Sequence, residues 1–217
     1  MTEFRLTQIS DTHLDRRLQQ LTDNFHRVSE YIDATRPDLV INSGDISFDG
    51  PTSRSDLEFA RELHDALPVP SRLLPGNHDL GDNPTAIGPA PKQPATEKER
   101  QNYLDVIGED RWRFDEAGWC FIGLNSLIMN TGIESEAEQF DWLKSELSKA
   151  SGKPVALLVP LPEESESSLA RMIADGQVIP AQGNLAGFLR ANPPLPPLPG
   201  PKSLTEILLE MREEESF

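Results

Sequence analysis

The stretch Phe4-Arg5-Leu6-Thr7-Gln8-Ile9-Ser10-Asp11-Thr12-His13 decides how the chain folds. Phe4–Ser10 has the length and apolar content of a short strand, and it runs straight into a carboxylate and an imidazole. The same succession occurs twice more. Leu39–Asn42 is a buried-type strand followed by Ser43-Gly44-Asp45. Arg72–Leu74 is a short strand followed by Pro75-Gly76-Asn77-His78-Asp79. Ligands of α/β sheets bind outside the carboxyl ends of the strands. Three strand ends thus bring carboxylates, imidazoles and an amide to one rim.

Helical spacing separates these strands. Leu21–Thr35 carries Leu21, Phe25, Val28 and Ile32, and Pro37 ends it. Asp56–Leu67 carries Leu57, Phe59, Ala60, Leu63 and Leu67. Thr96–Val106 can form a further helix, Trp119–Leu124 reads as a strand, and Glu136–Ala150 has Phe140, Leu143 and Leu147 on one face. Val155–Val159 is another buried strand. Strands alternating with helices predict an α/β fold, with α and β elements in layers.

The 217 residues include 20 basic and 36 acidic ones, a net charge of −16. That field repels nucleic acid and anionic membrane alike, so neither is expected as a partner. A small phosphate compound stays within reach if a metal ion supplies local positive charge. The single cysteine, Cys120, excludes an internal disulfide and a cysteine-based zinc knot, and it reads as a small core hydrophobe. No apolar run of about 18 residues exists to span a membrane. The start, MTEFRLTQISDTHLD, lacks the pattern of a signal peptide. The expected compartment is cytoplasmic.

Oxygen and nitrogen donors of the kind gathered at the strand ends suit Mn, Fe, Zn, Co or Ni. Each motif alone is weak, since Gly-Asp is first of all a turn signal. The weight lies in the ordered set. Asp11-Thr12-His13, Gly44-Asp45 and Gly76-Asn77-His78-Asp79, at these intervals, make residues 1 to about 150 resemble the calcineurin-like metallophosphoesterase family. The run Gln8–Leu14 together with Asn42–Asp45 resembles the branch that includes cyclic-nucleotide phosphodiesterases. The resemblance implies a β-sandwich with flanking helices and a two-metal site. By it, Asp11 and His13 hold the first metal, Asp45 bridges both, and Asn77 binds the second. His78 faces the substrate and stabilises or protonates the leaving group, with Asp79 orienting it. The implied reaction is hydrolysis of a phosphodiester or phosphomonoester by water that the metal acidifies to hydroxide.

The family pattern continues with a histidine after a later strand and then Gly-His-x-His. This chain has no histidine in the 139 residues after His78, and Pro160-Leu161-Pro162 stands where the first of them belongs. His26 and His64 lie in amphipathic helices and read as surface or partly buried residues. Glu163, Glu164 and Glu166 read as a solvated acidic loop. The expectation is one divalent ion per chain, two if ligands come from elsewhere, and activity that is weak or lost. The sandwich is expected to be C-terminally incomplete. Its unpaired sheet edge is a template for association, so an oligomer fits the sequence.

Residues 1–160 are therefore read as a truncated metallophosphoesterase-like domain and 161–217 as an extended tail. Short helices are expected at Ser167–Ala174 and Asn184–Arg190. Residues 192–201 hold six prolines in ten, a polyproline spacer. Ser203–Glu214 places Leu204, Ile207, Leu208 and Met211 on one helical face, with Ser203 and Glu206 at capping-box spacing. A helix of about 12 residues is marginal alone in water, so its apolar face needs a partner surface. Ser151–Leu161 resembles the strand that ends small antitoxins of the prevent-host-death class, and residues 152–217 resemble their toxin-embracing tail. That likeness implies a protein partner for residues 167–214. The alternative function is accordingly a binding module whose tail wraps a partner, carried on a degenerate phosphoesterase scaffold.

Overall fold

The computed structural model describes residues 4–85, 91–150 and 152–160. Strands β1 (Leu6–Ile9), β2 (Leu39–Asn42) and β3 (Ser71–Leu73) form a parallel sheet in that order. Leu6 lies opposite Leu39, and Val40 opposite Ser71. Helices α1 (Gln19–Thr35) and α2 (Arg54–Asp65) make the crossovers. The apolar spacing of α1 buries Phe25, Val28 and Ile32. Arg36 then turns left-handed at φ 47°, and Pro37 prevents continuation. Two short helices follow β3: α3 (Asn77–Leu80) and α4 (Glu97–Val106), the latter capped by the Thr96 side chain on the Lys98 amide.

A second sheet has the order β4 (Trp112–Glu116), β5 (Trp119–Gly123), β6 (Val155–Leu158). β4 and β5 form an antiparallel hairpin through Ala117 and Gly118, both at positive φ. β5 and β6 are parallel, joined through helix α5 (Glu134–Lys149). The inner faces of the two sheets meet at Leu39, Ile41, Leu74 and Trp112, with Phe4, Leu6, Phe114, Phe121 and Leu158 around them. The Trp112 indole donates to the Leu73 carbonyl at 2.9 Å, tying one sheet to the other. The period-2 alternation of β5 sends Cys120 and Ile122 to the opposite face, against Trp142 and Leu143 of α5. The content is mixed α and β, two three-stranded sheets with helices in the crossovers.

The structure departs from the sequence reading at several elements, and β6, expected to be a buried strand, has Val155 and Leu157 38% and 55% exposed. The sequence reading assigns no element to β4, because Arg113, Asp115 and Glu116 mask its alternation; only Trp112 and Phe114 face inward. β3 begins one residue earlier, and α2 starts and stops two residues earlier. In α5, Phe140 and Leu147 are 39% and 45% exposed, so the expected apolar stripe is not the packed one. The helix instead buries Ser135, Gln139 and Glu146, since the Gln139 amide bonds both the N–H and the C=O of Asn125. His64 is not a surface residue. It is 2% exposed and packs against Phe25. The readings of Glu163, Glu164, Glu166, the proline run, the three tail helices and the antitoxin likeness beyond residue 160 lie outside the described residues. Among the described residues, no helix is long and apolar enough to cross a membrane.

Burial drives the His64 imidazole down to about 4 from an ordinary 6.5. Between those pH values the unfolded chain takes up a proton that the folded chain refuses. The stability tied to this residue is fully present above about pH 6.5 and is lost as pH falls to about 4, a change of about 3 kcal/mol. Urea unfolding of wild type and His64→Gln should show a wild-type advantage that shrinks by that amount across this window. A difference that stays level with pH contradicts it.

Candidate metal centre

The loops after β1 and β2 continue side by side beyond the strands. The amides of Asp11, His13 and Leu14 donate to the carbonyls of Gly44, Asp45 and Ile46 at 3.0, 2.9 and 3.0 Å. Asp11, His13 and Asp45 all adopt left-handed backbone, with φ 56°, 42° and 52°. For residues with a Cβ that conformation costs about 1–2 kcal/mol each, and it persists only where the surroundings fix it. Gly44, at φ 133°, makes the turn into Asp45. Gly76 is required for a different reason: a Cβ there would overlap the Asp45 carboxylate and amide.

The result is a convergence of donors. One ligand atom from each of Asp11, His13 and Asp45 lies within 4.8 Å of the other two. Metal–ligand bonds of about 2.1 Å span such a triangle after a small contraction. Two carboxylates and an imidazole are a donor set for a borderline divalent ion. Asp45 is buried, and one of its oxygens accepts the His78 amide at 2.9 Å. Burial raises its carboxyl above the usual range; the His78 amide and the nearby His13 and His78 rings pull it back, and the Asp11 charge pushes it up again. A cation between the two carboxylates offsets both the burial and the repulsion, so the residues present fit a metal ion.

Asn77, His78 and Asp79 enter from the turn after β3. The Asn77 side-chain N–H donates to Asp82 at 3.1 Å, which leaves its Oδ1 as the atom to present to a cation. The His78 ring lies 4.5 Å from the His13 ring, edge to face. Its Nδ1 bonds the Phe48 carbonyl at 2.6 Å. The orienting contact expected from Asp79 thus comes from a backbone carbonyl. Asp79 is 1% exposed and serves the backbone. Its Oδ2 accepts the amides of Gly76 (2.8 Å) and Ile46 (3.0 Å), and its Oδ1 accepts the amide and hydroxyl of Ser47, both at 2.7 Å. Burial, reinforced by Asp45, raises its carboxyl to about 7.

The end of β6 also reaches this rim. A Cβ on Gly44 would lie 3.0 Å from the Pro160 Cβ, and Ser126 donates its hydroxyl to the Pro160 carbonyl at 2.8 Å. A side chain without a donor atom therefore stands beside the metal-ligand turn. His26 is exposed on α1, away from the centre. Phe48, Asp82 and the Asn42–His64 pair were not singled out from the sequence. Phe48 acts through its carbonyl and Asp82 follows a glycine turn, so no side-chain pattern marks either.

The sequence profile described as "Calcineurin-like phosphoesterase" matches residues 4–177. The match crosses Gly152–Val159 and so assigns residues 152–177 to that profile, where the antitoxin likeness also laid claim; it lends that likeness no support. A 3',5'-cyclic-nucleotide phosphodiesterase of Nostoc sp. is 30% identical over 174 residues, 75% of this chain and 58% of that protein. A protein of Arcobacter nitrofigilis named "Probable glycerophosphodiester phosphodiesterase GpdQ" is 31% identical over 131 residues, 58% of this chain and 42% of that one. The chain thus spans roughly half the length of these relatives. Among solved structures, a dimetal phosphatase from Danio rerio aligns with a TM-score of 0.48 at 15% identity, covering 79% of this chain and 77% of that one.

Removing the Asp79 carboxylate strands three buried amides at once, while the Ser47 hydroxyl keeps the His78 carbonyl as acceptor. Asp79→Ala is expected to cost about 3–5 kcal/mol in urea unfolding. A loss below about 1 kcal/mol contradicts the pinning role given to this residue.

Proposed function

We propose that this chain, which belongs to the calcineurin-like phosphoesterase family, hydrolyses small phosphate esters with one divalent metal ion held by Asp11, His13 and Asp45. The observation that carries the proposal is the trio of donor atoms within 4.8 Å of one another, each on a left-handed backbone position. Strain at three adjoining residues has a reason if their side chains must converge. When bound, a divalent ion supplies Lewis-acid charge for a phosphoryl oxygen and lowers the pKa of water.

The remaining roles belong to the chain's own groups. With its Nδ1–H committed to the Phe48 carbonyl, His78 exchanges its proton at Nε2, in position to serve a leaving-group oxygen. Asp45 accepts the His78 amide and so fixes the imidazole's distance from the carboxylates. Asn77, its amide nitrogen held by Asp82, offers Oδ1 as a further donor. The net charge of −16 opposes a phosphate ester, so binding depends on the ion and on His78. Both named relatives are phosphodiesterases, which makes a phosphodiester the substrate class to test first.

The same donor set argues for slow turnover. Beyond His78 the sequence offers no imidazole, and Pro160 stands at the rim of the centre. Among the described residues, a second ion would have Asn77 and a share of Asp45. Losing one of two transition-state clamps costs several kcal/mol, or several powers of ten in rate. Mn, Fe, Zn, Co and Ni all suit the donors.

Metal content by plasma mass spectrometry and hydrolysis of bis(p-nitrophenyl) phosphate, in one Mn2+-supplemented sample, test the proposal. We expect about one ion per chain and slow turnover. Asp45→Asn should abolish both, and His78→Ala should lower turnover by about 10²-fold or more with metal content unchanged. A chain that takes up no metal, or turnover indifferent to Asp45→Asn, overturns it.

A further inference from the structure

Beside the three ligand positions lies a chain of buried polar residues, Thr12, Asn42 and His64. Asn42, the last residue of β2, is 0% exposed, and its carboxamide reaches in three directions. Its Oδ1 accepts the Gly44 amide at 3.2 Å, one residue before Asp45. Its Nδ2 donates to the Thr12 hydroxyl at 3.2 Å, between Asp11 and His13, and also to His64 Nε2 at 3.0 Å. The Thr12 hydroxyl donates onward to the Ile46 carbonyl at 3.1 Å, one residue after Asp45. At the far end, His64 Nδ1 bonds the Ala60 carbonyl at 2.8 Å.

The donor and acceptor roles in this chain are forced. The Ala60 carbonyl can only accept, so the His64 proton sits on Nδ1. Nε2 is then a lone pair, as the Asn42 N–H requires. Buried Asn42 has two N–H groups and one oxygen to satisfy, and its three neighbours supply one acceptor, one donor and one hydroxyl. An apolar residue at position 64 would leave one buried N–H unpaired, and the carboxamide would be free to turn away. Turning it releases both Thr12 and Gly44, hence the backbone on either side of all three ligands.

We propose that His64 is a positioning residue for the metal centre: as a neutral imidazole on helix α2 it locks the Asn42 carboxamide, which holds Thr12 and Gly44 and so sets the left-handed turns that converge Asp11, His13 and Asp45. The inference rests on the metal-site reading above and adds a residue outside the centre to it. Its consequence is that α2 and the ligand loops form one unit, and that metal affinity responds to a side chain that touches no ligand.

The test is Mn2+ affinity of the full chain, by titration calorimetry, at a temperature well below the melting point of each variant. His64→Met fills the volume without a comparable acceptor. His64→Gln sets an amide oxygen where Nε2 stood. We expect His64→Met to weaken Mn2+ binding at least about tenfold, and His64→Gln to stay within about threefold of wild type. A purely structural role predicts lower melting points for both and unchanged affinity in the folded protein. Thr12→Val, which removes the other Asn42 partner and keeps His64, should match the loss in His64→Met and serves in its place if that variant does not fold. Wild-type affinity in His64→Met, or in Thr12→Val, overturns the positioning role and leaves the metal site standing. A wild-type chain that binds no Mn2+ overturns the metal site and this role with it.

Discussion

The buried Asp79 carboxylate is the constraint around which the centre is assembled. Its two oxygens take the amides of Gly76, Ile46 and Ser47 and the Ser47 hydroxyl. Those donors lie on two different turns, the one that carries Asp45 and the one that carries Asn77 and His78. The first turn is tied by its backbone to the Asp11 loop, and Asp79 ties it to the second. A charged acceptor without solvent is worth more per hydrogen bond than a neutral one, and it also enforces direction. Gly76 is the complement of this arrangement: the turn comes so close to Asp45 that no Cβ fits. Asn42 does for the Asp11 and Asp45 loops what Asp79 does for the Asp45 and His78 turns.

Much of this was legible in the sequence, for identifiable reasons. The parallel sheet follows from three apolar runs separated by helical spacing, and β2 was read to the residue because all four of its positions are buried. The placement of Asp11, His13, Asp45 and Asn77 just past strand ends follows from the same pattern. What escaped has a common cause. β4 is half solvated, so its charges hide the alternation of Trp112 and Phe114. The packed face of α5 depends on Gln139 bonding the Asn125 backbone, a tertiary contact that a count of apolar residues does not register. His64 looks like any polar residue of an amphipathic helix until Asn42 is seen opposite it. Asp79 was given the role of orienting His78, whereas three of its four donors are backbone amides, which carry no mark in the sequence.

The centre is well built and sparsely supplied. Three backbone positions are held in a costly conformation, two buried carboxylates are pinned, and a histidine tautomer is set by a carbonyl. That is the preparation expected of a catalytic site. Yet among the described residues the grouped donors number three, and Pro160 occupies the rim at the end of β6.

The central claim is that one ion sits among Asp11, His13 and Asp45. Diffraction from crystals of the full chain grown in Mn2+, with anomalous data collected on both sides of the manganese edge, addresses it without passing through activity. The account predicts a single edge-dependent peak within bonding distance of those three side chains. No peak there, or two peaks of equal height flanking Asp45, would contradict it.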